Sequence, residues 1–415
     1  MDIKVFPSQL NGAVTAPPSK SDVHRAIICA ALSRGRCEIS PVALSNDIRA
    51  TIDCVNSLGA QTELSGDKLV VDGTKLYENR KVELDCGESG STLRFFVPIV
   101  SALGLDGDFV GHGSLTTRPI GLFSTLLPKA NVRCVTDGTL PLSVSGQLRA
   151  GKFEVPGNIS SQFITGLLLA LPMLDGDSEI ILTSPLQSEA YVDMTISTME
   201  RFGVKIQRTE SGYFVKGGQR YAPQNYTTDG DWSQAAFFMV AGAISGDVRV
   251  DGVRMSSPQG DKAIVDLLKS SGAQVELGDN YVRVKKSELK ALKIDARQIP
   301  DIVPILAVAA AYSDGTTEIC GAERLRIKES DRLRTTAAMI NALGGRIEET
   351  SDGLIITGGR LRGGKVDGSN DHRIVMSAAV AALGAENETE ITDRESINKS
   401  FPDFFEEYTR LGGKI

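Results

Sequence analysis

Four cations stand where a helix ordinarily disfavours them. Lys20 and Arg25 in PPSKSDVHR, Arg94 in CGESGSTLR and Arg373 in SNDHRIVM fall in the opening turns of segments that read as helices. A helix N-terminus carries unpaired N–H donors and about half a positive charge, so a lysine or arginine there opposes the macrodipole and calls for an anionic partner. The same openings carry Ser21, a Gly90 that lets backbone approach a ligand, Ser160, Ser161 and Gln162 in GNISSQF, Asp301 in IPDIVP, and His372. Any one Ser, Asp or Asn ahead of a helix is ordinarily just a cap. The set as a whole points to capture of phosphate or carboxylate groups. A further charged run, RIKESDRL with Lys328, Glu329 and Arg332, reads by itself equally well as a solvated helix start.

That capture must be local. The 415-residue chain has 45 Lys and Arg against 52 Asp and Glu, a net charge of -7, which argues against broad binding to nucleic acid or membrane surfaces. Six cysteines lie scattered without a C-x-x-C pair, as in a reducing compartment, and are expected mostly as core thiols. The opening MDIKVFPSQLNG has no apolar signal-peptide stretch and no Arg/Ser-rich transit character, so a cytoplasmic location is expected. No apolar run reaches membrane-spanning length without Gly, Pro or a charge. His24, His112 and His372 match no metal-ligand spacing, and no metal is expected.

The elements that position these residues repeat. An amphipathic helical segment running into a small-residue turn and a strand recurs as VNSLGAQTEL, LLPKANVRCV, TMERFGVKIQ, LLKSSGAQVEL, INALGGRIEE and YTRLGGKI. The turn residues are Gly59, Ala130, Gly203, Gly272, Gly344 and Gly412, spaced 71, 73, 69, 72 and 68 apart, and Ala130 is the exception among glycines suited to a helix C-terminus. A second helix, apolar all round and therefore buried, recurs six times, and steps of seventy land on Ser21, Ser91, Ser161, Asp231, Asp301 and Asp371 at its start. After most turns come two short strands, as in AQVELGDNYVRVKK. The expected fold is α+β: a two-domain inside-out α/β barrel of six βαβαββ-like repeats, three per domain, around buried parallel helices whose N-termini face a cleft.

PSKSDVHR, GSLTTRPIG (113–121), NISSQFITGLL, RIKESDRL (326–333), NDHRIVM and NKSFPDFF (398–405), in this order along nearly the whole chain, resemble the EPSP synthase family. The resemblance implies transfer of the enolpyruvyl group of phosphoenolpyruvate to the 5-hydroxyl of shikimate 3-phosphate, with no metal or organic cofactor. It implies one domain over 18–228 on the shikimate 3-phosphate side and another from 1–17 plus 229–415, with crossovers near 17–18 and 228–229, closing over the substrates to exclude water. The shikimate 3-phosphate site then maps to Lys20, Ser21, Arg25, Ser160, Ser161, Gln162, Ser188, Tyr191, Asp301 and Lys328. The phosphoenolpyruvate site maps to Lys20, Gly90, Arg118, Gln162, Arg332, Arg373 and Lys399. By the same analogy Glu329 serves carbon 3 of phosphoenolpyruvate, Asp301 the 5-hydroxyl and Lys20 the departing phosphate. A monomer acting on small molecules is expected, without nucleic-acid or membrane partners.

Three residues depart from the pattern. Glu88 stands where many relatives have Asn, Arg324 where some have Asn, and Phe95 where some have Pro. Two other readings compete. A sister transferase acting on UDP-N-acetylglucosamine shares the sixfold plan but usually carries Cys before an Arg-Pro pair, where this chain reads GHGSLTTRPI. A repeat-built nucleic-acid-binding module needs a basic track or stacking aromatics, and neither is visible in the sequence.

Overall fold

A computed structural model of the chain describes residues 2–76 and 80–415. Its helices alternate between a buried and an outer position. The pairs, buried helix first, are α1 (Lys20–Leu32) and α2 (Asn46–Ser57), α3 (Gly90–Ala102) and α4 (Leu122–Lys129), α5 (Ser161–Ala170) and α6 (Glu189–Arg201), α7 (Trp232–Ser245) and α8 (Ile264–Ser270), α9 (Val303–Ala311) and α10 (Arg332–Ala342), α11 (His372–Ala382) and α12 (Phe404–Arg410). The buried set carries almost no exposed residue, as an all-round apolar composition demands.

Each helix pair belongs to one small sheet with a fixed plan. In the second repeat, Lys81–Asp85 and Asp106–Val110 flank α3 and pair in parallel, and the hairpin Val132–Val135 and Leu142–Gly146 adds antiparallel to the latter. The third and fifth repeats copy this order with Lys152–Val155, Ser178–Leu182, Gly212–Val215 and Gln207–Thr209, and with Lys293–Asp295, Thr316–Cys320, Leu354–Thr357 and Arg346–Glu349. The remaining repeats borrow strands from distant chain. Arg36–Ser40 takes its parallel neighbour from Tyr226–Thr227, and Gly246–Asp251 takes its own from Leu10–Thr15. In the sixth, Thr389–Ile391 pairs with Gly364–Val366 and with Ile3–Val5, and Phe6 bridges Lys414.

This borrowing divides the chain into two compact units. Pro18–Thr228 forms a central unit, and residues up to Pro17 with Asp229–Ile415 form a terminal unit. Each has its own apolar core. In the terminal unit α7, α9 and α11 pack against one another pairwise, while in the central unit α3 packs on α5 and α1 lies against α2 and α6.

The repeat register shifts at two places relative to the sequence expectation. Gly59, Gly203, Gly272, Gly344 and Gly412 all adopt positive φ after their helices, but Ala130 has φ -108 and the left-handed position falls to Asn131, at φ 68. Asparagine is among the few non-glycine residues that tolerate this conformation. Asn131 also lies 72 residues from both Gly59 and Gly203. At the other helix ends the caps are Ser19, Ser89 and Ser160, not Ser21, Ser91 and Ser161. A capping hydroxyl must reach an amide two or three residues ahead, so it precedes the first helical residue. Asp231 and Asp371 cap α7 and α11 as their register suggests, whereas Asp301 sits inside a 3-10 turn, Pro300–Ile302, before α9.

All six cysteines are free thiols, four of them buried. Among the described residues no helix is long and apolar enough to cross a membrane.

Candidate active site

In the central unit, the serines not used as caps are available to other partners. Ser91 Oγ accepts from Gln162 Nε2 at 2.8 Å, and Gln162 Oε1 accepts from Arg94 Nη1 at 2.7 Å, so the starts of α3 and α5 are tied together. Arg94 also lies over the Phe163 ring at 5.2 Å. A Cβ on Gly90 would fall 2.5 Å from Nη1 of the buried Arg118 and 3.0 Å from Nη1 of Arg94. The absent side chain makes room for two guanidinium groups at the helix end. Three residues assigned to phosphoenolpyruvate, Gly90, Arg118 and Gln162, thus share one corner.

A second corner joins α1 to α6. Arg25 donates through Nη1 to the Ser21 carbonyl at 2.5 Å, through Nη2 to the Tyr191 carbonyl at 2.9 Å and through Nε to Thr195 Oγ1 at 2.8 Å. Its guanidinium lies 5.3 Å from the Phe95 ring centre. Burial pulls Arg25 down to about 10, against the attraction of Asp22 and its neighbours. An anion at this place would oppose that cost. Ser188 begins the α6 turn in the left-handed region at φ 54, one helical turn before Tyr191. Such a conformation in a serine is strained and is retained where the surroundings over-determine it.

Lys20 has a partner that sequence reasoning missed. Its ammonium lies 2.6 Å from Oδ2 of Asp47, in the first turn of α2, with both side chains largely buried. Below this pair His24 Nδ1 contacts Thr51 Oγ1 at 2.6 Å, and Thr51 contacts Thr92 at 2.7 Å. Burial, with Lys20 and Arg25 nearby, holds His24 well below the usual histidine range. It is a neutral residue held in a buried hydrogen-bonded chain. An aspartate in SNDIR reads locally as an acid favouring a helix N-terminus, and nothing local signals its long-range lysine.

The terminal unit gathers the rest. Asp301 lies 3.1 Å from Arg332, 3.5 Å from Lys328 and 3.5 Å from Arg373. Burial works against its charge, but Lys328, Arg373 and Arg332 together hold the carboxyl well below the usual carboxylate range. Burial lowers Lys328 in turn, with Asp301 opposing. Arg332 is essentially inaccessible, at 1%, and also contacts Glu329 at 2.5 Å and Asp371 at 2.8 Å. Burial alone would lower Arg332, yet Asp371, Glu329 and Asp301 raise it above its ordinary value. The KESDR run is therefore no exposed helix start: Asp331 caps α10, and its neighbours face buried charge.

Arg373 donates from Nη2 to Ser233 Oγ at 3.0 Å, but its Nε and Nη1 are buried without a hydrogen-bond partner among the described residues. Buried N–H groups of a charged guanidinium are costly to leave unmade, and they suit a ligand's phosphate or carboxylate. Lys399 donates to the Asn370 carbonyl at 2.7 Å, where Ser369 and Asn370 both have positive φ just ahead of α11. The aromatic run after Lys399 anchors it: Phe401 and Phe404 stand 6.1 and 5.4 Å from the Phe238 ring of α7. Arg324, given no role from sequence, donates to the Arg297 carbonyl at 3.0 Å.

Each unit thus holds cations around helix starts, and the terminal unit adds a carboxylate kept ionised among them. Comparison with known proteins agrees with that anion chemistry. A profile of the family described as EPSP synthase (3-phosphoshikimate 1-carboxyvinyltransferase) matches residues 6–408. The chain belongs to the EPSP synthase family. The 3-phosphoshikimate 1-carboxyvinyltransferase of Clostridium novyi (strain NT) is 44% identical to it over 100% of this chain and 98% of the relative. That of Clostridioides difficile (strain 630) is 42% identical over the same shares. The solved structure of EPSP synthase from Acinetobacter baumannii matches with a TM-score of 0.84 at 27% identity, covering 99% of this chain and 98% of its own. The enolpyruvyl transferase NikO from Streptomyces tendae, at 17% identity and a TM-score of 0.80 over 99% and 97% of the two chains, shares the fold. The six motifs that carry the resemblance lie at or just before helix starts.

Proposed function

We propose that this chain transfers the enolpyruvyl group of phosphoenolpyruvate to the 5-hydroxyl of shikimate 3-phosphate, releasing phosphate and giving 5-enolpyruvylshikimate 3-phosphate on the route to chorismate and the aromatic amino acids. The observation that carries this reading is Asp301 ringed by Lys328, Arg332 and Arg373, with Nε and Nη1 of Arg373 buried and without an acceptor among the described residues.

In this reading shikimate 3-phosphate is held by Lys20, Ser21, Arg25, Ser160, Ser161, Gln162, Ser188, Tyr191, Asp301 and Lys328, most of them in the central unit. Phosphoenolpyruvate is held by Lys20, Gly90, Arg118, Gln162, Arg332, Arg373 and Lys399. The arginines offer planar forks to phosphate or carboxylate, and the lysines act as point charges. Arg332 already contacts three carboxylates, so it takes up a ligand anion by exchanging one of them.

The 5-hydroxyl oxygen attacks carbon 2 while its proton passes to Asp301, which its neighbouring cations keep ionised. Carbon 3 receives a proton from Glu329, giving a tetrahedral ketal. The carbon 2–oxygen bond to phosphate then breaks, Lys20 stabilises or protonates the departing phosphate, and Glu329 takes back a proton from carbon 3 to restore the double bond. The protein acts in the cytoplasm as a monomer on these small molecules, without nucleic acid. The test is phosphate release by the purified chain, expected only when both substrates are present. Silence with that pair but turnover with UDP-N-acetylglucosamine and phosphoenolpyruvate would overturn the proposal.

A further inference from the structure

Two glycines show how the loop before α3 and the turn Gly113–Thr117 interlock. Gly113 has φ 54, and a Cβ on it would collide with the carboxylate of Glu88. The residue that closes the same turn, Arg118, reaches back so that its Nη1 occupies the space a Cβ of Gly90 would point into. A backbone bond from His112 N to the Gly87 carbonyl at 2.8 Å pins the two segments together, and one from Arg118 N to the Leu115 carbonyl at 3.2 Å closes the turn itself. Glu88, half-buried, and Arg118, buried, are therefore carried on facing ends of one small closed loop.

We propose that Glu88 is a positioning residue for Arg118: its carboxylate holds the guanidinium and the turn that carries it, so that the remaining N–H groups face the anion. This rests on the reading that Arg118 receives phosphoenolpyruvate. A carboxylate suits the task because it accepts two parallel N–H bonds from a guanidinium, whereas an amide offers one acceptor and no charge. Glu88 thereby replaces the Asn of many relatives with a residue that orders the arginine before substrate arrives, which lowers the cost of binding.

The experiment compares Glu88→Ala, Glu88→Gln, Arg118→Ala and the double variant Glu88→Ala/Arg118→Ala in the full chain. Glu88→Ala should raise KM for phosphoenolpyruvate at least fivefold, with KM for shikimate 3-phosphate held, and Glu88→Gln should recover part of the loss. With Arg118 already removed, Glu88→Ala should change nothing further. An unchanged KM, an equal rise with and without Arg118, or a rise in both KM values together with a lower melting temperature would each overturn the proposal. If the wild-type chain does not turn over this substrate pair, the functional reading fails, but the pairing is still read from urea midpoints without substrate. Non-additive midpoints across the single and double variants support it, and additive ones overturn it.

Discussion

The carboxylate of Asp371 grips the Arg332 guanidinium twice, through Nε at 2.8 Å and Nη2 at 3.3 Å, while its Oδ1 also accepts the backbone N–H of Arg373 at 3.0 Å. One inaccessible side chain thus caps α11, orders the arginine of the KESDR run and sets the register of Arg373. Removing one member of a buried ion pair typically costs roughly 3–5 kcal/mol because the other charge is left uncompensated. Asp371→Ala should accordingly destabilise the terminal unit by about 3 kcal/mol or more. The chain's one tryptophan, Trp232, is buried in that unit, so its fluorescence during urea unfolding reports the change. An unaltered midpoint would show that Asp301 and Glu329 suffice for Arg332.

Asp301 gives a pH signature. Its folded carboxyl is held well below the usual range, since Lys328, Arg373 and Arg332 outweigh the opposing burial. A depressed carboxyl contributes stability that is present above its unfolded value, about 3.9, and is lost as pH falls toward the folded value. The stability difference between wild type and Asp301→Asn should therefore be constant from neutral pH to about pH 5 and shrink below about pH 4. A difference that stays constant down to pH 3 would contradict the ionised state assigned here. The same state predicts that the acid limb of kcat/KM does not belong to Asp301.

Lys20→Ala and Arg118→Ala should each weaken phosphoenolpyruvate binding or turnover at least tenfold, about 1.4 kcal/mol. Asp47→Ala removes the carboxylate 2.6 Å from Lys20 and should affect steady-state kinetics less than Lys20→Ala, because it frees the ammonium without deleting it. Unchanged kinetics in both cation variants would remove these residues from the reaction.

Asn131→Val tests the repeat register. A β-branched residue at φ 68 should lose roughly 1–2 kcal/mol from left-handed strain, besides the Nδ2 bond to the Gln147 carbonyl at 3.2 Å. The same substitution at Ala130, with φ -108, should be much milder. Equal losses, measured by thermal melting, would mean the left-handed position has been misplaced.

Much of the site was legible because helix openings are local. PPSKSDVHR, CGESGSTLR and SNDHRIVM show a cation near a cap within a few residues, and the structure keeps Lys20, Arg94 and Arg373 at those ends. Asp47 was missed because its lysine is 27 residues away on another helix, and Asp371 read as a cap alone because its arginine lies 39 residues away. The capping serines were placed one or two positions late, since a step of seventy marks a repeat but not which of two serines has an amide in reach.

The repeat, the buried character of one helix in each pair and the charge of its opening were set by the sequence alone, because periodicity and capping depend on neighbours within a turn. Only the tertiary structure decided that Tyr226–Thr227 completes the first sheet and Leu10–Thr15 the fourth, which draws the two units' boundaries. It also decided that Lys328, Arg332 and Arg373 converge on Asp301. Strand pairing and ion pairing across tens to hundreds of residues follow from how apolar faces pack, and a linear pattern carries no record of that choice.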